Sequence, residues 1–508
     1  RGPFRPPGDT PHKPCVAVGP TACQGSSRPA LAISRCVKMH RLMNLHSFLY
    51  DWGVETLDIR LLVETILLAV IAFLLLQKSY KPRKDKPLSE KEVDELCQEW
   101  EPEPLCPTLE DDQKPHVPVI TSSTGAYVEA DGKRLLNLAS FNYLGFAEEE
   151  SVKDAATGAL EKYGCGSCGP RGFYGTIDVH LDLEEKIAEF MGVEEAILYS
   201  YDVATAASVI PAFSKKGDLI VCDEGVSYAI QNGLALSRST VVYFKHNDME
   251  DLRRVLEKVR AGDRKGATKP LNRRFLVVEG IYYQTGEVAN LKEIHALKEE
   301  FCFRLLVDES FSLGVLGAHG RGACEDAGLG PGDVEIITAS MGNAIASVGG
   351  FCCGTRQIVD HQRLSGAGYC FSASLPPFLA ATAVRSLDML PGILPGRQEA
   401  LSANARAFRA ALKGVKGLNV LGGDGRSPVV HLQLQQAAGH EEGDRLLQRV
   451  ADRVRDSAGV LIPVAKYSVM EDARRPPPSL RASVLAVHSS EDLRRAAGAI
   501  KAAAEALL

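Results

Sequence analysis

From about residue 119 onward, short apolar runs of strand length alternate with segments of helical periodicity. This alternation predicts βαβ units, and therefore an α/β fold with a mostly parallel sheet covered by helices on both faces. Ligands of such sheets bind beyond the carboxyl ends of the strands, so functional residues are expected just after the apolar runs. The runs predicted to be strands are residues 196–199, 219–222, 241–244, 275–278, 304–307 and 336–339.

The pattern changes after about residue 376, where long Ala- and Leu-rich helical segments surround short strands. We expect a large domain over residues 119–376 and a smaller C-terminal α+β domain over residues 377–508. Ser489, followed three residues later by Asp492, has the spacing of an N-cap for the last helix. The other elements predicted in the small domain are helices at 378–389, 402–412 and 442–456 and strands at 429–434 and 483–487.

The first part of the chain has three sections. Residues 1–57, rich in Pro, Gly, Ser and Arg, are expected to be disordered and lumenal. Residues 58–77 are expected to form a transmembrane helix, although a buried core helix or a signal-peptide core would show the same apolar run. The charged linker, residues 78–118, begins with a cluster of lysines and arginines. By the positive-inside rule this cluster predicts that the domains after the linker lie in the cytosol.

Charge and cysteine content exclude two broad classes of protein. The net charge of -6, without a stripe of Lys, Arg and aromatic residues, argues against nucleic-acid binding. The 13 cysteines are scattered through apolar and glycine-rich segments, which indicates reduced thiols rather than a disulfide framework.

Two strand ends point to a cofactor pocket. Asp308 ends one predicted strand, and the small-residue loop after the next strand contains Asn343. This arrangement resembles the α-oxoamine synthases, fold-type-I pyridoxal-phosphate enzymes that condense an amino acid with an acyl-CoA. In that family the acid pairs with the pyridinium nitrogen, and a lysine in the loop holds the cofactor as a Schiff base. Here the lysine position is Asn343, whose amide nitrogen cannot form that imine.

A glycine-rich segment at residues 163–176 carries the strongest part of the resemblance. With His180 and Glu184 after it, the segment matches the family pattern G-x-G-x-x-G-x-R-x-x-x-G-T-x-x-x-H-x-x-L-E at many fixed positions. The resemblance implies that Arg171, Cys168 and Tyr174 lie near the substrate or a subunit interface. Cys165 and Cys168 also form a C-x-x-C pair, but no second cysteine pair at ligand spacing accompanies it, so no metal site is expected.

Further matches contain departures at the cofactor. The family's ring-stacking histidine is replaced by Ser227, and the histidine of its D-E-A-H motif by Phe311. The phosphate-side segment F-S-x-S-x-P-P is kept, which implies that Ser372 and Ser374 face a partner's cofactor phosphate. Arg481 matches the arginine that binds the substrate carboxylate, a task suited to its planar guanidinium.

The pattern as a whole implies a lysine-less subunit with no catalytic residue of its own. In such complexes a catalytic partner holds pyridoxal phosphate covalently, and the heterodimer joins L-serine to palmitoyl-CoA to give 3-ketosphinganine, CO2 and CoA at the endoplasmic reticulum membrane. Two alternatives are an active homodimeric synthase and a structural membrane-docking protein. The first is weakened because no lysine lies in residues 338–354.

Overall fold

The computed structural model describes residues 59–76, 88–102, 105, 117–265, 272–436, 439–467 and 474–508. The chain divides into two compact units, Arg1–Lys114 and Pro115–Leu508.

The described residues of the first unit form the helices α1 (Ile59–Leu76) and α2 (Glu90–Glu99). Ser89 caps α2, because its side chain accepts a hydrogen bond from the backbone of Glu92. Within the described ranges, no helix combines the length and apolar character that crossing a bilayer requires. Residues 58 and 77, the two ends of the predicted transmembrane helix, lie outside those ranges. The predicted segment 1–57 and most of the linker also lie outside them. The transmembrane helix, the lumenal segment and the linker therefore stay predictions.

A seven-stranded sheet forms the centre of the second unit, in the order β3-β9-β8-β7-β6-β4-β5. All neighbouring strands run parallel except β9, which is antiparallel to β3 and β8. Six of the strands confirm the predicted ones to within one residue at either end; β9 was not predicted. The strands are β3 (Glu195–Tyr199), β4 (Leu219–Asp223), β5 (Thr240–Phe244), β6 (Arg274–Glu279), β7 (Arg304–Asp308), β8 (Ile336–Ser340) and β9 (Gly350–Gly354).

The strands β4 and β6–β9 are almost wholly buried, which explains their continuous apolar sequences. Helices cover the sheet and shape its ends. They are α3 (Glu150–Tyr163), α4 (Asp178–Met191), α5 (Asp202–Phe213), α6 (Tyr228–Ser237), α7 (Met249–Lys265), α8 (Leu291–Phe301), α9 (Ala323–Asp326), α10 (Arg356–Ser365), α11 (Ala367–Cys370) and α12 (Pro377–Leu412).

A second hydrophobic core lies in the C-terminal part and includes Leu136 and Leu138 from near the start of the globular region. Its elements are β1 (Tyr127–Ala130), β2 (Lys133–Asn137), β10 (Leu418–Val420), β11 (Val429–Leu434), α13 (His440–Ala458), β12 (Val460–Leu461), β13 (Ser479–Ser483) and α14 (Ser490–Leu507). As predicted, Ser489 caps α14 by accepting from the backbone of Asp492.

Three predicted elements of the small domain need correction. The helices expected at 378–389 and 402–412 are one helix, α12, which continues through Pro391 and Pro395 because leucines on either side of both prolines are packed in the core. The strand expected at 483–487 lies at Ser479–Ser483 instead. Val484 and Leu485 are buried, which gave the apolar signal, but they lie beyond the ladder with β11.

Candidate functional site

A cavity of about 240 Å3 lies at the carboxyl ends of β7 and β8, where the sequence predicts a ligand. The starts of α5 and α6 close its sides. It is lined by Phe141, Asp202, Val203, Ser227, Tyr228, Ala229, Tyr283, Asp308, Ser310, Phe311, Ser340 and Asn343. Of the residues predicted at the cofactor, the cavity therefore brings together Asp308, Ser227, Phe311 and Asn343.

Asn343 is held inside this cavity by a local hydrogen bond. Its Nδ2 donates to the carbonyl oxygen of Ser310 at 2.7 Å, and 93% of the residue's surface is buried. The described residues that line the cavity include no lysine. The bond fixes the amide against the loop after β7, so the position that a Schiff-base lysine needs is filled by a neutral, anchored side chain.

Asp308 keeps the position of the acid at the end of β7. One carboxylate oxygen accepts from the hydroxyl of Thr338 at 2.7 Å and the other from the backbone N–H of Ser310 at 3.1 Å. Burial raises the pKa of Asp308, because the low-dielectric interior disfavours the charged form.

The two positions at which the family has histidines are taken by Phe311, which packs against other aromatic rings, and by Ser227. The ring centroid of Phe311 lies 5.5 Å from that of Phe141 and 5.2 Å from that of Tyr283. Ser227 begins α6, and its backbone N–H donates to Glu279 at 2.5 Å. Neither Ser227 nor Phe311 can supply an imidazole, so the cavity lacks both family histidines.

Arg481 does not line the cavity and is already engaged. Its Nη1 donates to the hydroxyl of Tyr283 at 2.6 Å and its Nη2 to the carbonyl of Ala139 at 3.2 Å. The guanidinium also lies 4.4 Å from the ring centroid of Phe141. The buried Nε of Arg481 has no hydrogen-bond partner among the described residues, so these contacts use only part of its donor capacity.

We tested whether these residues fit pyridoxal phosphate. Asp308 fits the pyridine side of that cofactor, but Asn343, Ser227 and Phe311 supply neither the covalent anchor nor the stacking ring. The residues present therefore do not fit a covalently held cofactor in this chain.

Arg171 holds the glycine-rich segment together from inside. Its guanidinium donates to both carboxylate oxygens of Glu184 at 2.9 and 2.8 Å, and to the hydroxyl of Thr176 at 3.0 Å. Both partners of the ion pair are buried. The donors of Arg171 are thus used within the chain, where they shape the loop, and its predicted place near a substrate or an interface stays a prediction.

The other predicted residues of this region lie at the surface. Cys168 and Tyr174 are exposed, and both have left-handed backbone with φ of 57° and 64°. Ser374 is buried, and its hydroxyl and N–H both donate to the carbonyl of Gly169 at 3.0 Å. Ser372 is partly exposed on the same segment. Ser374 therefore fixes the glycine-rich segment, whereas Ser372 is the hydroxyl that a partner could reach.

Sequence reasoning missed two acids beside the cavity. Asp202, at the start of α5, accepts from the hydroxyl of Ser340 at 2.9 Å. Glu279 pairs in register with Asp308 across β6 and β7. Burial, together with the charge of Asp308, raises the pKa of Glu279 to about 7. The sequence could have indicated Glu279, because this acid ends an apolar strand. No feature of the sequence around Asp202 indicated that it lies at the cavity.

His246 and Asp223 form a buried pair at the end of β4. The Nδ1 atom of His246 lies 2.8 Å from Asp223, and its Nε2 lies 3.0 Å from the hydroxyl of Thr285. Burial lowers the pKa of His246, but the hydrogen bond and charge of Asp223 outweigh it and raise this pKa above its usual value. The pair therefore stabilises the fold fully below the unfolded-state pKa of histidine, ~6.5, and less as pH rises through the folded-state value.

Replacing His246 by glutamine is expected to destabilise the chain more at pH 6 than at pH 9. At pH 6 the loss should be about 3 kcal/mol, because a buried aspartate loses its charged partner. At pH 9 the imidazole is neutral, so only its hydrogen bond to the Asp223 carboxylate is lost and the destabilisation is smaller. Urea unfolding followed by circular dichroism at both pH values checks this, with His440→Gln as control. Equal losses at the two pH values would contradict the charged pair.

Comparisons with known proteins identify the family of this chain. The sequence pattern of class I and II aminotransferases matches residues 133–500. Long chain base biosynthesis protein 1b of Oryza sativa subsp. japonica is 48% identical over 456 residues, 89% of this chain and 93% of the relative. Serine palmitoyltransferase 1 of Dictyostelium discoideum is 42% identical over 468 residues, 90% of this chain and 96% of the relative.

A solved structure extends the likeness to three dimensions. Serine palmitoyltransferase of Sphingomonas wittichii superposes with a TM-score of 0.69 and 27% identity, covering 78% of this chain and 93% of the other. The chain therefore belongs to the class I and II aminotransferase family, among relatives named long chain base biosynthesis protein 1 and serine palmitoyltransferase 1.

Proposed function

We propose that this chain is the non-catalytic subunit of a serine palmitoyltransferase. With a catalytic partner it supports condensation of L-serine with palmitoyl-CoA to 3-ketosphinganine, CO2 and CoA, the first step of sphingolipid synthesis. The names of the relatives support the reaction. One observation supports the assignment of catalysis to the partner rather than to this chain. Asn343, hydrogen-bonded to Ser310, stands where the family has its lysine.

In this proposal pyridoxal phosphate is held covalently by the partner subunit, and this chain completes the partner's pocket. The glycine-rich segment supports the proposal because it is built as a rigid surface: Arg171 and Ser374 tie it down from inside. Ser372 is the residue proposed to donate a hydrogen bond to the phosphate. Such a charge-assisted bond contributes roughly 1.5–3 kcal/mol.

Complementation tests the proposal. Cells that lack the homologous subunit but keep the catalytic one should regain 3-ketosphinganine synthesis when they express this chain. The Asn343→Ala variant should restore synthesis equally well, because Asn343 has no role in the chemistry. Failure of both forms to restore synthesis, with the chain expressed at normal level, would overturn the proposed function.

The exposed apolar side chains beside the glycine-rich segment are proposed to contact the partner. Phe173 is 66% exposed, Tyr174 103% and Phe371 84%. Large aromatic side chains of this kind dominate the energy of protein interfaces. None of these three side chains is charged, and charged residues are depleted at the centre of protein interfaces.

Replacing Tyr174 and Phe371 together by alanine is expected to reduce recovery of the catalytic partner by about tenfold or more, since each interface aromatic contributes ~1–2 kcal/mol. Affinity purification of a tagged chain, with the partner quantified on blots, measures this. Leu236→Ala, at an exposed leucine on α6, serves as control and should change little. Unchanged recovery in the double variant would remove this surface from the interface.

Membrane attachment is a further part of the proposal. The side chains of residues 61–76 of α1 are exposed and mostly apolar, which suits contact with lipid. We propose an endoplasmic reticulum location with the large domain in the cytosol. Protease added to sealed microsomes should then digest the residues after Lys78, and protection of that part would contradict the orientation.

A further inference from the structure

The cavity at the ends of β7 and β8 is rich in acceptor oxygens and poor in positive charge. Asp308 and Asp202 both line it, and the Oδ1 of Asn343 receives no hydrogen bond from any residue that the structure describes. The described lining contains no lysine, arginine or histidine. An anion entering here would meet two carboxylates without a compensating cation.

Asp308 is the centre of this negative field. It is 92% buried, and both of its hydrogen-bond donors, Thr338 and Ser310, are neutral. Among the described residues, no cationic side chain lies within ion-pair distance of it. Buried carboxylates are normally paired, since an isolated charge in a low-dielectric site is unfavourable.

Aromatic side chains also line the cavity. Phe141, Tyr283, Phe311 and Tyr228 line the same cavity. The electron-rich face of such a ring attracts a cation within about 6 Å of its centroid. Arg481 lies against Phe141 and Tyr283, but no cation contacts Phe311 in the described part of the chain. A carboxylate attracts an ammonium group through its charge, and a ring face attracts it through the electron-rich face of the ring.

We propose that this cavity binds a small organic ammonium ion without a covalent bond, with its charge between Asp308 and the ring of Phe311. The cavity, at about 240 Å3, is smaller than the ~300–1,000 Å3 of typical ligand pockets, so the proposed ligand is a short alkylamine or amino alcohol. This assignment follows from the misfit of pyridoxal phosphate here. It concerns binding to this chain alone, so its failure leaves the complementation test of the proposed function unaffected.

Isothermal titration calorimetry of the purified full chain with n-butylammonium chloride tests the proposal, with sodium butyrate as the probe of opposite charge. Butylammonium should bind with a dissociation constant of ~1 mM or below, and butyrate should show no saturable binding. Asp308→Asn keeps the side-chain shape and should weaken butylammonium binding by at least about tenfold. Phe311→Leu keeps an apolar wall but loses the ring face, and should weaken binding about threefold.

Two further measurements make the test decisive. Glu441→Gln, at an exposed acid of α13, should leave the affinity unchanged. Near-ultraviolet circular dichroism verifies that each variant is folded; if Asp308→Asn is not, Phe311→Leu decides. Absent butylammonium binding, equal binding of butyrate, or unchanged affinity in the folded variants would each overturn the proposal.

Discussion

Replacing Arg171 by methionine is expected to destabilise the chain by roughly 3–5 kcal/mol, because it leaves Glu184 as an uncompensated buried charge. Only one other hydrogen bond to that carboxylate is present in the described region, from the backbone of Leu198 at 3.1 Å. The lost guanidinium also held Thr176, so the glycine-rich segment should loosen as well. Urea unfolding of the purified variant measures the loss.

Two control variants separate this ion pair from general effects of losing an arginine. Arg445→Met removes an exposed i,i+4 pair on α13 and should cost less than about 1 kcal/mol. Arg171→Met combined with Glu184→Leu should recover much of the lost stability, since apolar pairs can replace buried ion pairs. A loss below ~1 kcal/mol in the single variant would show that the pair is not the structural element described above.

Replacing Gly175 by alanine is expected to distort the same segment and to abolish most activity of the heterodimer. A Cβ atom at this position would lie 1.9 Å from the carbonyl oxygen of Gly169 and 2.7 Å from that of Pro170. Both obstacles are backbone, so the loop must move, at about 3 kcal/mol. The Gly169 carbonyl also accepts both hydrogen bonds from Ser374, so the movement reaches the phosphate-side segment.

Gly172 provides a matched control in the same loop. No atom lies within 4 Å of a Cβ built there, so Gly172→Ala should keep stability and activity. Serine-dependent CoA release by the purified heterodimer and the thermal unfolding midpoint are the two readouts. Similar behaviour of the two alanine variants would mean that the loop does not have the tight geometry described.

The sheet was predictable because its buried parallel strands are continuous apolar runs. The strand β9 was missed because Gly350–Gly354 begins and ends with glycine, a residue that is more typical of loops than of strands. The strand β13 was misplaced because Val484 and Leu485 are as buried as any strand residue. Burial of a strand is visible in the sequence as a run of apolar residues. Hydrogen bonding between the backbones of two strands requires no particular side chains and is not visible there.

The site was predictable to the extent that its residues lie at strand ends. Asp308 and Asn343 meet in one cavity, as their positions after neighbouring strands require. The hydrogen bond from Arg481 to Tyr283 could not be predicted from the sequence. The two residues are far apart in the chain, and only the packing of the folded structure brings them together. The pairing of Arg171 with Glu184 was hidden for another reason: both residues match the family pattern, and a match does not say which way a side chain points.

The most direct test of the central claim is to locate the reducible cofactor bond in the assembled enzyme. The complex of this chain with its catalytic partner is reduced with borohydride in the presence of pyridoxal phosphate, digested, and analysed by mass spectrometry for pyridoxyl-lysine. The account predicts the adduct on one lysine of the partner and none on this chain, whose cavity presents Asn343. A stoichiometric adduct on a lysine of this chain would contradict it.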